Sequence, residues 1–413
     1  MSRRGQVKAC YIHDLLHDVS IKKAKEEISF EILTEGNSQS SDKARHRAID
    51  CSTVRFSQYS GNSNTRLRSL FVRGACRVDE IPSYWKSFGR LRVLDFEGFE
   101  LKILPDTVGA LTWLRYLGLR NTKIKRLPNS LGRLKNLHVL DIAGNGIVEV
   151  PNVIWTMTNL RHLYMSDIQC VGPLKIDSLK NLQTLISIPL RNWPLEHASD
   201  LTSLYKLRIQ LHNNLDIGKL CISLAKMENL TSLCLEGSIQ KRITSLDQLV
   251  NLHRLTKLEI IGRVARLPGA SSFPPNISYL SLNAARLKED PMPVLQKLPG
   301  LLYLKLCSWA YVGKEMVISQ DGFPRLKVLS LTKLPFVHNI QVEKGAMPEL
   351  NRLEIGRCIS LESLPKELRL MNNLKELVMV ARKNIVLKLR GKDSYIISSI
   401  PSVTLIISNR VFP

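Results

Sequence analysis

Leucine and its apolar substitutes return at a fixed spacing through most of this chain of 413 residues. The segment Leu91-Arg-Val-Leu94-Asp-Phe96 has apolar side chains at its first, fourth and sixth positions, and Leu114-Arg-Tyr-Leu117-Gly-Leu119 and Leu137-His-Val-Leu140-Asp-Ile142 repeat it. The fourth and sixth positions alternate with polar or small residues, which is the period of a strand with one buried face. Units of this form start at residues 67, 91, 114, 137, 160, 182, 204, 230, 255, 277, 301, 326, 350 and 374. The mean step of about 23.6 residues lies within the leucine-rich-repeat range. The signal is strong over 67–165 and 277–380 and weaker at 166–229. One unit cannot bury its own leucines, so neighbours must stack with their strands parallel. The predicted fold is α/β: a leucine-rich-repeat solenoid, a curved parallel β-sheet of horseshoe form, preceded by a short helical segment.

The residues between units sharpen this picture. Proline follows an apolar residue at 105, 128, 151, 268 and 365. It cannot donate a ladder hydrogen bond, so it suits a convex side made of loops and short helical turns. The end coils need caps. Residues 44–51 read as a capping strand before the first unit, and the β-branched stretch 395–407 reads as closing strands. Residues 31–43, EILTEGNSQSSDK, read as a linker. Between 10 and 30 the spacing of Ile12, Leu15, Leu16 and Val19 predicts an amphipathic helix. The organisation expected is a small N-terminal region, 1–40, followed by the repeat domain, 41–413.

Charge and cysteine usage narrow the function classes. Fifty-nine Lys and Arg against 36 Asp and Glu leave a net charge of +23. Residues 1–66 hold 11 of the basic and 8 of the acidic residues, so the excess is spread over the repeats rather than set in a basic tail. No helix-turn-helix wording or aromatic–basic strand motif accompanies it, and nucleic acid is not the expected partner. The eight cysteines form no C-x-x-C pair and read as scattered reduced thiols. No apolar run reaches the length of a membrane span, and the N-terminus has no secretory h-region.

At Ile12-His13-Asp14, within GQVKACYIHDLLHDVSIKKAKEE, the chain resembles the end of the winged-helix region of plant nucleotide-binding, leucine-rich-repeat disease resistance proteins of the coiled-coil type. That family carries Met-His-Asp at this place. LPDTVGALTWLRYLGLRNTKIKRLPNSLGRLKNLHVLDI and GAMPELNRLEIGRCISLESLPKEL resemble the wording of its repeats. The resemblance implies that 1–40 is a winged-helix remnant and that His13, with Ile12 and Asp14, belongs to a motif that senses ADP in a full-length receptor. The family's phosphate loop, G-x-x-x-x-G-K-[ST], is absent: Gly218-Lys219, Gly313-Lys314 and Gly391-Lys392 are not followed by Ser or Thr. The chain therefore reads as the C-terminal portion of such a receptor, binding no nucleotide cofactor by itself.

No catalytic motif stands out, and the protein is expected not to be an enzyme. His13 and His17 have metal-ligand spacing but lack a third ligand, so no metal is expected. The outward strand positions and the turns after them are the binding candidates: Tyr116, Arg120, Asp141, Tyr279, Tyr303, Lys305, Trp309 and Tyr311 on the expected concave face. Aromatics and Arg are what interface hot spots use. A second set, Arg68, Arg92, Arg115 and Arg161, with Lys327 and Lys375 later in the array, occupies the second position of many units and is expected to form a basic rim. The resemblance implies protein partners: a pathogen effector or a guarded host protein, and the nucleotide-binding domain of the same receptor family. It implies cytoplasmic placement, with peripheral plasma-membrane or nuclear placement also open. A free-standing repeat scaffold in intracellular signalling is the alternative.

Overall fold

The computed structural model describes residues 23, 26–34, 43–52, 66–74, 88–166, 168–170, 175–193, 195–211, 217–238, 240–244, 246–391 and 393–407. The chain divides into two compact units, 1–185 and 186–413. A strand begins two residues after each of the fourteen leucine starts, from Ser69–Arg73 through Glu376–Ala381.

In the first unit, strands Phe30–Leu33, His46–Asp50, Ser69–Arg73, Val93–Asp95, Tyr116–Gly118, Val139–Asp141 and His162–Tyr164 pair in parallel, each with the next. The register sets Leu70, Leu94, Leu117, Leu140 and Leu163 side by side. All five are buried, and burying a leucine side chain contributes about 1.5–3 kcal/mol. On the opposite side of each coil lie 3-10 turns, Asp106–Ala110, Asn129–Arg133 and Asn152–Thr156. Pro105, Pro128 and Pro151 stand immediately before them in extended conformation, which ends the preceding loop without needing an N–H partner.

Side-chain amides tie coil to coil. The Asn136, Asn159 and Asn181 amides donate to the carbonyls of Thr112, Lys135 and Thr158 in the preceding coil, at 2.9, 2.8 and 2.9 Å. Inside, buried Asn145 donates to the carbonyls of Leu119 and Ile142 and accepts from the N–H and hydroxyl of Thr122. A buried amide is tolerated when its donors and acceptor are all used in this way.

The second unit uses longer strands. Lys206–Leu211, Ser232–Gly237, Lys257–Ile261, Tyr279–Asn283, Tyr303–Cys307, Val328–Thr332, Arg352–Gly356, Glu376–Ala381 and Ser402–Ile407 form a parallel ladder. Leu207, Leu233, Leu258, Leu280, Leu304, Leu329, Leu353 and Leu377 share one register position. Among the described residues, coils of this unit also carry α-helices, Ile217–Ala225, Met292–Leu295 and Lys383–Arg390. In the first, Ile217, Leu220, Cys221 and Leu224 are buried at helical spacing.

Some expectations are corrected. The segment 31–43 is not wholly a linker, because Phe30–Leu33 is a strand paired with the capping strand His46–Asp50. Glu31 sits at an inward position there, and Arg47 faces it from the next coil at 2.7 Å, both buried. The pair replaces two inward leucines, so the apolar signal that marks the other coils is missing. At the C-terminal end the stretch 395–407 is not all strand. Ser394–Ile396 is a 3-10 turn, and the strand begins at Ser402. Pro401 breaks the β-branched run. Most of the expected 10–30 helix, including Ile12, His13 and Asp14, lies outside the described residues. Cys51, Cys221, Cys234, Cys307 and Cys358 are buried.

Candidate protein-interaction surface

The second position of each coil in the first unit forms an unbroken column. The Arg68 N–H donates to the Arg45 carbonyl, Arg92 to Arg68 and Arg115 to Arg92, each at 2.7 Å. The His138 N–H donates to Arg115 and that of Arg161 to His138, each at 2.8 Å. Backbone pairing therefore fixes neighbours about 4.8 Å apart. Arg45, Arg68, Arg92, Arg115 and Arg161 are exposed, and among the described residues none has a carboxylate within ion-pair distance. Like charges at this spacing repel. The effect is visible in the two histidines. His138 has its pKa lowered by partial burial, then by Arg161 and Arg115. His46 is lowered by partial burial, then by Arg68 and Arg45. Of the predicted rim residues, Arg68, Arg92, Arg115 and Arg161 stand in this column; Arg45 and His138 extend it and were missed. Their signal was the register, since both precede an apolar strand at the same offset.

Beside the column, the open face of the sheet carries paired charges. Arg73 meets Asp95 at 2.9 Å, and Arg120 meets Asp141 at 2.9 Å. Each aspartate also accepts an N–H two residues on, from Glu97 at 2.9 Å and Ala143 at 3.0 Å. Asp141 nevertheless has a raised pKa, because its burial outweighs those contacts. Tyr116 lies on the strand between the two aspartate strands, and its phenol is pushed up to about 12 by burial and then by Asp95 and Asp141. Gly118 makes the arrangement possible: a Cβ there would run into the Asp95 carboxylate. Thus Tyr116, Arg120 and Asp141 are brought together, with Arg73 and Asp95 as unpredicted members of the same cluster.

The corresponding face of the second unit is aromatic. Tyr279 and Tyr303 are cross-strand partners and stack at 4.7 Å between centroids. Lys257 reaches over the Tyr279 ring at 4.6 Å while pairing with Glu259 at 2.8 Å. Lys305 is half-buried opposite Ser281 and Ser330. Trp309 is 40% exposed in a left-handed backbone conformation at φ 68°. Its coil fills the interior with Ala310 instead, which is fully buried. Phe336 meets Trp309 edge-on at 5.3 Å, and Arg286 lies over the indole at 5.7 Å. Tyr311 does not belong to this surface. It is 4% exposed, and its hydroxyl donates to the Glu315 carbonyl at 2.7 Å, so the phenol closes a turn. Two residues beyond Trp309, the chain has already turned inward.

Among the described residues no helix is long and apolar enough to cross a membrane. Parallel strands at a step of about two dozen residues, inward leucines and bridging asparagines define a leucine-rich-repeat protein. The model of the family described as "Leucine-rich repeat region" matches residues 66–393, and the chain belongs to that family. It is 32% identical over 433 residues to the disease resistance protein RPP8 of Arabidopsis thaliana, covering 97% of this chain and 46% of that protein. It is 31% identical to the disease resistance protein RPH8A of the same plant, with 97% and 46% covered. The chain thus spans about half the length of the curated relatives it matches. A leucine-rich-repeat protein of Leptospira interrogans has a similar fold, with a TM-score of 0.52 at 19% identity, covering 90% of this chain and 85% of that one.

Proposed function

We propose that this chain is the recognition and autoinhibition part of a plant immune receptor. The open face of its repeats binds a pathogen effector or a host protein altered by one, and its basic column docks on a nucleotide-binding domain to hold it off. The similarity to disease resistance proteins over 97% of the chain supports the defence role. The observation that carries the docking role is the column of five exposed arginines, with His138 among them, at the starts of six adjacent strands. Such a column needs an acidic surface of matching length, and complementary charge steers association and fixes its register. The chain itself is read as non-catalytic and cytoplasmic. Ligand binding must favour the released state over the docked one, or no switching follows. Residues 1–40, with His13, are assigned to the winged-helix side of that contact.

The test is a titration of this chain against a separately produced nucleotide-binding domain from a similar disease resistance protein. The expected result is association that weakens steeply with salt and is lost in Arg92→Glu/Arg115→Glu. An absence of association at micromolar concentration, at both low and moderate salt, would sink the docking role and leave only the repeat scaffold.

A further inference from the structure

The second unit holds a cavity of about 310 Å³ on the loops that follow its strands, lined by Arg242, Arg263, Arg266, Arg286 and Lys288 above an apolar floor. Arg242 and Arg263 stand at matched places in successive coils, and Arg286 lies one residue further on in the next. The Ile243 N–H donates to the Arg263 carbonyl at 2.6 Å, and Val264 pairs with Ile243 as an isolated parallel bridge. The Val264 N–H donates to Ala285, directly before Arg286. Coil stacking therefore converges the arginines, as it does in the basic column, but here around a hollow rather than along an edge.

The balance of charge in the hollow is uneven. Two acids, Glu289 and Asp290, also line it. Asp290 is committed elsewhere: its carboxylate accepts the Met292 N–H at 3.0 Å and the Val317 N–H at 2.8 Å. Arg266 reaches Asp247 at 3.6 Å. Among the described residues Arg242, Arg263, Arg286 and Lys288 have no carboxylate within ion-pair distance. Arg286 is steadied by the Trp309 ring beneath it. Cations gathered in a concave site focus a positive potential that an anion relieves. Guanidinium forks match the oxygens of phosphate two at a time. The volume is at the lower bound for small-molecule sites, and Val264, Leu267, Leu287 and Val294 form a floor for an uncharged carbon frame.

We infer that this cavity binds a small polyanion carrying two or more phosphate groups on a compact carbon skeleton. The inference is independent of which protein occupies the open face of the sheet. Such chemistry occurs in soluble polyphosphates and in phosphorylated lipid headgroups; the concave lining favours the soluble form, and the two arms of the experiment distinguish them.

The experiment is calorimetric titration of the full chain with myo-inositol hexakisphosphate at roughly 0.15 M salt, where weak surface attraction is screened. Saturable one-site binding is expected. Arg263→Gln/Arg286→Gln should raise Kd by about tenfold or more. Lys366→Gln/Arg369→Gln, which removes the same charge elsewhere in the unit, should change it less than about twofold. Arg263→Lys/Arg286→Lys keeps the charge and should retain part of the affinity, with circular dichroism establishing that each variant is folded. An absence of saturable heat, or equal weakening by both glutamine pairs, overturns the proposal. Flotation with phosphatidylcholine vesicles containing phosphatidylinositol bisphosphate forms the second arm. Vesicle capture without binding of the soluble probe also overturns it, since a surface rather than a cavity would then hold the charge.

Discussion

The two units build the same coil and use its outside differently. In the first, the second position of successive coils reads Arg45, Arg68, Arg92, Arg115, His138, Arg161 and Gln183; in the second it reads Tyr205, Thr231, Thr256, Ser278, Leu302, Lys327, Asn351 and Lys375, so cations there are few and separated by an uncharged residue. The first unit's open face locks its aspartates to arginines, whereas the second stacks tyrosines and exposes Trp309 against Phe336. Inward leucines are common to both because stacking allows little else. Outward positions carry no such demand, so they are where a repeat array can acquire separate partners. The first unit is suited to long-range attraction of an acidic surface, the second to short-range contact with an apolar one.

The sharpest difference inside the coils is the Glu31–Arg47 pair, and breaking it should have the largest effect. Arg47→Ala removes the guanidinium that faces the buried Glu31 carboxylate and should cost about 3–5 kcal/mol in chemical denaturation. Replacing both partners, Glu31→Leu with Arg47→Met, should restore most of that loss. The equivalent place in the second unit is apolar throughout, and Leu304→Ala there should cost about 2–5 kcal/mol through the cavity left behind. If Arg47→Ala costs no more than a surface substitution, the pair is not what closes the first unit's end.

Next in size is recognition by the second unit. Trp309→Ala should change stability by less than about 0.5 kcal/mol yet lower affinity for a protein ligand of that face by about 2 kcal/mol or more. Surface plasmon resonance alongside thermal melts separates the two. Unchanged affinity would move recognition off this edge.

The smallest effect expected is a pH response confined to the first unit. The folded pKa values of His138 and His46 are lowered, so protonation favours the unfolded chain. Their contribution is complete above about pH 6.5 and is lost as pH falls through the lowered folded values. Asp141, raised by burial, acts in the opposite sense but only within the carboxylate range. A melt series from neutral to mildly acid pH should show a small loss of stability that His138→Gln reduces. An acidic partner on the column should reverse the sign for binding, because it favours charged His138; tighter docking at lower pH is the measurement.

The repeat register was legible in the sequence because inward leucines cannot be exchanged for much else. What was not legible was set by local departures from that rule. The strand Phe30–Leu33 hid behind Glu31, whose burial depends on a partner sixteen residues away. The helix Ile217–Ala225 fell in the stretch where repeat spacing was weakest, and its own 3.6-residue period at Ile217, Leu220, Cys221 and Leu224 was the unused signal. Trp309 and Tyr311 were read alike as exposed aromatics. A left-handed residue at 309 turns one out, and a hydroxyl bond to Glu315 holds the other in. Asp141 and Tyr116 were legible as outward positions, while the ion pairs and the steric gap at Gly118 depend on neighbours in other coils.

The buried Glu31–Arg47 pair has a consequence for heredity. Coils that present leucine to both neighbours are interchangeable, so unequal exchange can add or delete one and leave a continuous interior. Glu31 and Arg47 sit in neighbouring coils that must stay adjacent, because a leucine coil inserted between them parts the two charges, although the far side of the Arg47 coil already meets Leu70. The array can lengthen or shorten along its leucine-bearing coils, but these first two must be inherited together and in order.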